Sequence, residues 1–110
     1  IMEGIELICF QIISTVGNAR SLYIEAIQAA KAGDFEKAEE LIKEGEASFT
    51  EGHAAHGKLI QQEASGNPVQ PNLLLIHAED QLMSAEAFKI IAQEMIDNYK
   101  RIAELEAKLK

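Results

Sequence analysis

LLLIHAEDQLMS, residues 73–84, carries two helical stripes side by side. Steps of three and four from Leu74 give His77, Gln81, Ser84, Phe88, Ile91 and Met95, so a polar trio interrupts an apolar seam. The neighbouring set is Leu73, Ile76, Asp80, Met83, Ala87 and Ile90, with a lone carboxylate between Ile76 and Met83. Both stripes predict polar groups in an apolar setting. Carried on to about Leu109, the periodicity predicts a helix of about 40 residues, roughly 55–60 Å long. Its closing segment, residues 100–110, mixes charges as a solvated helix end does, and its lysines suit the negative end of the helix dipole.

Upstream, SGNPVQP (residues 65–71) holds both prolines of the chain with a glycine and an asparagine, which marks the one loop longer than a tight turn. The third helix is expected to resume at Pro71 or just after, since a first turn tolerates proline. Before the loop, Phe35, Ala38, Ile42, Gly45, Phe49, Gly52, His56 and Leu59 form a helical stripe, predicting a second helix from near Asp34 to about Ala64. Gly45, Gly52 and Gly57 each cost that helix roughly 1 kcal/mol relative to alanine, so close helix approach or a crevice is expected to compensate. Ala32, Gly33 and Asp34 supply a stop and a restart. The first helix, residues 3–31, would bury Ile5, Cys9, Ile12, Val16, Ala19, Tyr23, Ala26 and Ala30.

The fold class is therefore all-α: an antiparallel three-helix bundle, with residues 1–110 as a single domain. Apolar residues make up 47% of the chain and aromatics only 5%, without tryptophan, so aliphatic side chains and alanine must fill the core. The net charge is −8 with no basic patch, which argues against nucleic acid as a partner. One cysteine, Cys9, cannot form an internal disulfide. With no signal segment and no apolar run of membrane-spanning length, the expected location is the cytoplasm, without membrane insertion. Met2 is the expected native start, with Ile1 an addition before it.

Where chemistry could reside follows from the same stretch. A buried carboxylate takes up a proton, finds a cation or meets a donor, so Asp80 needs a partner. One candidate is His77, three residues earlier; another is self-association about a symmetry axis, where copies of Asp80 would share a hard divalent cation or protons. A histidine in a helical seam is most often a hydrogen-bonded structural residue. Alternatively, a neutral imidazole nitrogen is nucleophilic near neutral pH and holds a phosphoryl group as a labile phosphoramidate, with Gln81 and Ser84 able to supply hydrogen bonds. His53 and His56 form an i, i+3 pair, but the Glu-x-x-His pattern of a ferritin-like metal centre is missing: Thr50 and Leu74 precede His53 and His77 by three. Packing or lining a crevice is their expected fate. Cys9 is expected in the core and Arg20 at the surface. No glycine-rich phosphate loop or serine nucleophile motif occurs.

LLLIHAEDQLM at residues 73–83, with GNARS (17–21), AGDFEKA (32–38) and EASGN (63–67), resembles the IIA component of the lactose/cellobiose/chitobiose branch of the bacterial phosphoenolpyruvate-dependent sugar phosphotransferase system. The resemblance spans nearly the whole chain. It implies a three-helix subunit assembling as a homotrimer. It further implies a phosphoryl group received from the histidine phosphocarrier protein (HPr) on His77, at Nε2, and passed to a cysteine of the IIB component. Asp80 would be the aspartate at the trimer axis that ligates a divalent metal, Mg2+ being the expected ion. Gln81 stands where many members have a second histidine, His56-Gly57 where Gln-Thr is common, and His53 matches a recurrent histidine. The bland alternative is a non-catalytic helical interaction module in which His77 is merely packed.

Overall fold

Two glycines in the left-handed region divide the chain. Gly33 (φ +86°) and Gly66 (φ +86°) each follow a helix and close a paired-hydrogen-bond stop. At the first, Gly33 N–H donates to the Ala30 carbonyl (3.0 Å) and Asp34 N–H to the Ala29 carbonyl (2.9 Å). At the second, Gly66 N–H donates to Glu63 (3.1 Å) and Asn67 N–H to Gln62 (3.2 Å). The computed structural model describes residues 4–110, as helices α1 (Ile5–Lys31), α2 (Phe35–Ala64) and α3 (Leu73–Leu109). The expected start of the first helix at Glu3, like the reading of Ile1 and Met2, lies outside the described residues. Asp34 caps α2 by accepting from the Lys37 N–H (3.1 Å), and Asn72 caps α3 by accepting from the Leu75 N–H (2.8 Å).

The helices run up, down and up, so α1 and α3 point the same way. One core cluster joins Cys9, Ile12 and Val16 of α1 to Ala55 and Leu59 of α2 and Ala78, Leu82 and Ala85 of α3. The other joins Ala19, Tyr23, Ala26 and Ala30 to Ala38, Ile42, Ala92 and Ile96. Fully buried aliphatics such as Ile12 and Val16 each contribute roughly 1.5–3 kcal/mol relative to exposure. α1 is the central helix, packed on both others, while α2 and α3 touch one another least. The buried set on α1 is the predicted one, except that Ile5 is only half-buried.

Close approach explains two of the three α2 glycines. A Cβ on Gly45 would overlap the Tyr23 ring, and one on Gly52 would lie 2.5 Å from Val16 Cγ1 and 2.6 Å from Thr15 Oγ1. Gly57 has nothing within 4 Å of such an atom, so of the two expectations close approach does not account for it. Beside Gly52, Ser48 Oγ donates to the Thr15 carbonyl (2.7 Å) and accepts from Asn18 Nδ2 (3.1 Å), tying α1 to α2.

α3 departs from expectation in which face it buries. It turns Ala78, Leu82, Ala85, Ala92 and Ile96 into the bundle, a face offset from both stripes seen in the sequence. Small residues win the inward positions because they let α3 lie close on α1. Leu73, Ile76, Met83 and Ile90 consequently point outward, Leu73 with 83% of its surface exposed. The last turns of α3 extend beyond the other helices, giving overall extents of 63 × 25 × 20 Å.

Candidate functional site

His77 stands in the second turn of α3, five residues after the Asn72 cap, and is exposed. Side chains on a helix lean toward its N-terminus. The imidazole accordingly lines, with Leu73 and Leu74, an open depression of about 460 Å³ over the first turn. That turn contains no acidic residue and presents the positive end of the helix dipole. The sequence reading of His77 as set in an apolar seam holds for its neighbours, while the ring itself is open to solvent.

Asp80, one turn further on, is also exposed, between outward-facing Ile76 and Met83. The ion pairs among the described residues are His56–Glu79, Lys89–Glu46 and Lys100–Glu39, so the direct His77–Asp80 pairing is not formed. Among the described residues no group of three or more His, Cys, Asp or Glu side chains converges on a possible cation. One chain alone does not build a metal site at Asp80. A carboxylate on an exposed apolar stripe nevertheless suits one hard oxygen ligand per copy in a shared site. Gln81 and Ser84 lie half-buried on the same flank of α3 as His77, one and two turns beyond it, and lean toward it by the same helical tilt.

The other two histidines separate. His56 Nε2 meets Glu79 Oε1 at 2.6 Å, a bond from α2 to α3 that the sequence reading missed. Nothing local signals it, because the partners are 23 residues apart on different helices. His53 is exposed, its ring 6.1 Å from that of Phe49 at 36°. Neither belongs to a metal cluster among the described residues. Cys9 is buried as expected, and burial pushes its thiol above the ordinary value, with Glu79 and Glu6 adding to the effect. It stays protonated and is a poor nucleophile. Arg20, expected as a surface charge, instead lies half-buried with its guanidinium 4.9 Å above the Phe88 ring.

The candidate site is thus an exposed imidazole near the start of α3. The lichenan-specific phosphotransferase enzyme IIA component of Bacillus subtilis (strain 168) is 42% identical over 102 residues, 93% of each chain. The crystal structure of the cellobiose-specific enzyme IIA from Bacillus anthracis superposes with a TM-score of 0.89 at 40% identity, covering 94% of this chain and 95% of that one. The IIA(Chitobiose) structure solved in solution as a complex with HPr superposes with a TM-score of 0.81 at 27% identity, covering 93% and 99%. Residues 7–100 match the family described as the PTS system, lactose/cellobiose-specific IIA subunit. The chain belongs to that family, the sugar-specific IIA components that take part in phosphotransfer within the phosphotransferase system.

Proposed function

We propose that this protein is a phosphoryl carrier in disaccharide uptake, accepting a phosphoryl group on His77 from HPr and passing it to the cysteine of a IIB component. The observation that carries the reading is the exposure of the His77 ring over the first turn of α3. On loading, the Nε2 lone pair attacks the phosphorus of the phosphocarrier's phosphohistidine. A new N–P bond forms as the old one breaks, and the electron pair of the broken bond returns to the donor's ring. On delivery the IIB thiolate sulfur attacks the same phosphorus and the His77 N–P bond breaks, restoring the imidazole. Positioning and charge stabilisation dominate such transfers. The dipole at the start of α3 favours the phosphoryl charge, and Gln81 and Ser84 offer hydrogen bonds to its oxygens.

The partner assignment to HPr is supported by the complex in which a IIA relative was solved. An acidic chain, net −8, favours encounter with partners whose active sites are ringed by positive charge, an effect that salt weakens. The lichenan- and cellobiose-specific relatives support a β-linked glucose disaccharide as the sugar, which meets only the membrane component. The protein works as a homotrimer, held by the outward stripe of Leu73, Ile76, Met83, Ala87 and Ile90, with partners docking around His77 near a subunit boundary. Three copies of Asp80 then converge at the axis, where their repulsion calls for protons or a divalent cation, Mg2+ being the expected ion. When bound, such an ion neutralises the carboxylates; it has no step in the transfer itself.

Incubation with phosphoenolpyruvate, enzyme I and HPr, followed by mass measurement, tests the proposal. Gain of one acid-labile, base-stable phosphoryl group, lost in His77→Ala, is expected. No gain, or a gain that survives the substitution, overturns it in favour of a packed, non-catalytic helical module.

A further inference from the structure

Arg20 is a cation without a counter-charge in an acidic chain. The protein carries 18 aspartates and glutamates against 10 lysines and arginines, yet none of the ion pairs among the described residues includes Arg20. Three and four residues away on α1 stand Val16, Gly17, Tyr23 and Ile24, and around Phe88 on α3 stand Ser84, Ala85, Ile91 and Ala92, so neither helix offers a carboxylate at that spacing. The guanidinium lies 4.9 Å above the Phe88 ring, and its Nε is sealed from solvent with no hydrogen-bond partner among the described residues. Stacking on a ring face satisfies none of the N–H groups, which all lie in the guanidinium plane. The residue as a whole is half-buried, which leaves the outer end of that plane reachable.

The turn before Arg20 is open. α1 and α3 point the same way, so one turn back from the Arg20–Phe88 contact brings Gly17 opposite Ser84. A side chain on Gly17 would meet nothing within 4 Å, so packing does not require a glycine there as it does at Gly45 and Gly52. Side chains lean toward the helix N-terminus, which carries the Arg20 head over that gap. Half-buried Ser84 adds a hydroxyl on the α3 wall. A planar fork of charged donors beside a hydroxyl suits an oxyanion, whose oxygens accept in the plane of the fork. Phe88 follows His77 by 11 residues, about 16 Å along α3, so a group held at Arg20 is out of reach of the imidazole.

We propose that Arg20, with Ser84 across the gap at Gly17, is a binding site for a small oxyanion, the phosphate or carboxylate group of a soluble ligand. The anion accepts from the outer N–H groups of the guanidinium and from the Ser84 hydroxyl, and the stacking on Phe88 stays intact. The site is separate from His77 and does not depend on phosphoryl transfer there. Arg20 and Arg101 are the two arginines of the chain, and Arg101 is exposed near the end of α3, where it serves as an internal control. The arginine Nε–H signals of the full chain are followed by NMR as inorganic phosphate, sodium acetate or sodium chloride is added at matched ionic strength. The Gly17 and Ser84 backbone amides are followed in the parent, Arg20→Lys and Phe88→Leu, and the remaining amides check that each variant is folded.

Phosphate or acetate is expected to shift the Arg20 signal saturably and to leave Arg101 unmoved, and the tighter of the two assigns the group. Arg20→Lys is expected to weaken the saturation read at Gly17 and Ser84 about tenfold, because an ammonium lacks the planar fork, and Phe88→Leu about threefold, because the fork is no longer held flat. Equal shifts with chloride, or equal shifts at both arginines, reduce the effect to screening and overturn the site. A response at Gly17 and Ser84 undiminished in Arg20→Lys overturns it as well. An Arg20 signal that moves with protein concentration and ignores both oxyanions also overturns it, and gives the guanidinium to a protein surface instead. Phosphorylation of His77 is scored independently.

Discussion

His56 Nε2 on α2 lies 2.6 Å from Glu79 Oε1 on α3, a bond across the two helices that otherwise touch least. Glu79 is two residues from His77 and points to the opposite flank, so this bond ties the α3 start to α2 on the side away from His77. Arg20 over Phe88 lies further along α3, and neither contact involves His77 directly.

Breaking that bond is expected to cost stability without abolishing the fold. Glu79 is partly exposed, which keeps the interaction near the low end of the range for a hydrogen-bonded pair. His56→Ala, Glu79→Ala and the double substitution, compared by urea denaturation, should give a coupling of about 0.5–1 kcal/mol. Strict additivity would show that the pair contributes nothing in solution.

The α2 glycines should divide by environment. Helix propensity alone predicts that each Gly→Ala change stabilises by about 1 kcal/mol. At Gly45 and Gly52 the new methyl meets the Tyr23 ring or Val16 and Thr15, and overpacking of about 1–3 kcal/mol outweighs that gain. Gly57→Ala meets nothing and should raise the urea midpoint. A uniform effect at all three positions would remove close helix approach as the explanation for Gly45 and Gly52.

This division shows how far the sequence carries. On α1 a single apolar stripe leaves no choice, and Cys9 through Ala30 are buried as the spacing predicts. α3 is apolar around more than half of its circumference, and periodicity alone cannot say which part faces its own bundle. Alanine and leucine at positions 78, 82 and 85 face inward, while Leu73, Ile76 and Met83 are left exposed. His77 was legible through its polar neighbours on one flank. The His56–Glu79 bond and the Arg20–Phe88 stacking were not, because interhelical partners leave no local spacing.

Tyr23 supplies a pH dependence. Burial first, and Glu46 second, push its phenol up to about 12 from an ordinary value of about 10. An acid whose pKa is raised by folding is neutral in both states below the unfolded value. As pH climbs past about 10 the unfolded chain sheds its proton first, and stability falls until the folded phenol titrates near 12. The loss over that window is roughly 2–3 kcal/mol. Urea denaturation at stepped pH, with Tyr23→Phe as reference, isolates it. The two proteins should diverge only above about pH 10, and parallel curves would show that the phenol reaches water in the folded state.

Asp80→Leu tests the carboxylate on the outward stripe. In an isolated subunit Asp80 is exposed, so the substitution should leave subunit folding nearly unchanged and add one more outward aliphatic beside Ile76 and Met83. In an assembly that brings copies of Asp80 together, the parent must neutralise converging charges with protons or a cation, whereas leucine packs against its own copies with no charge to neutralise. In the proposed assembly the variant is expected to melt at or above the temperature of the parent and to lose any sensitivity to a chelator. Phosphorylation at His77 should persist, because the two side chains are not bonded to each other. A variant that falls apart into monomers would mean that the cation linking the carboxylates, and not the surrounding aliphatic stripe, holds the subunits together.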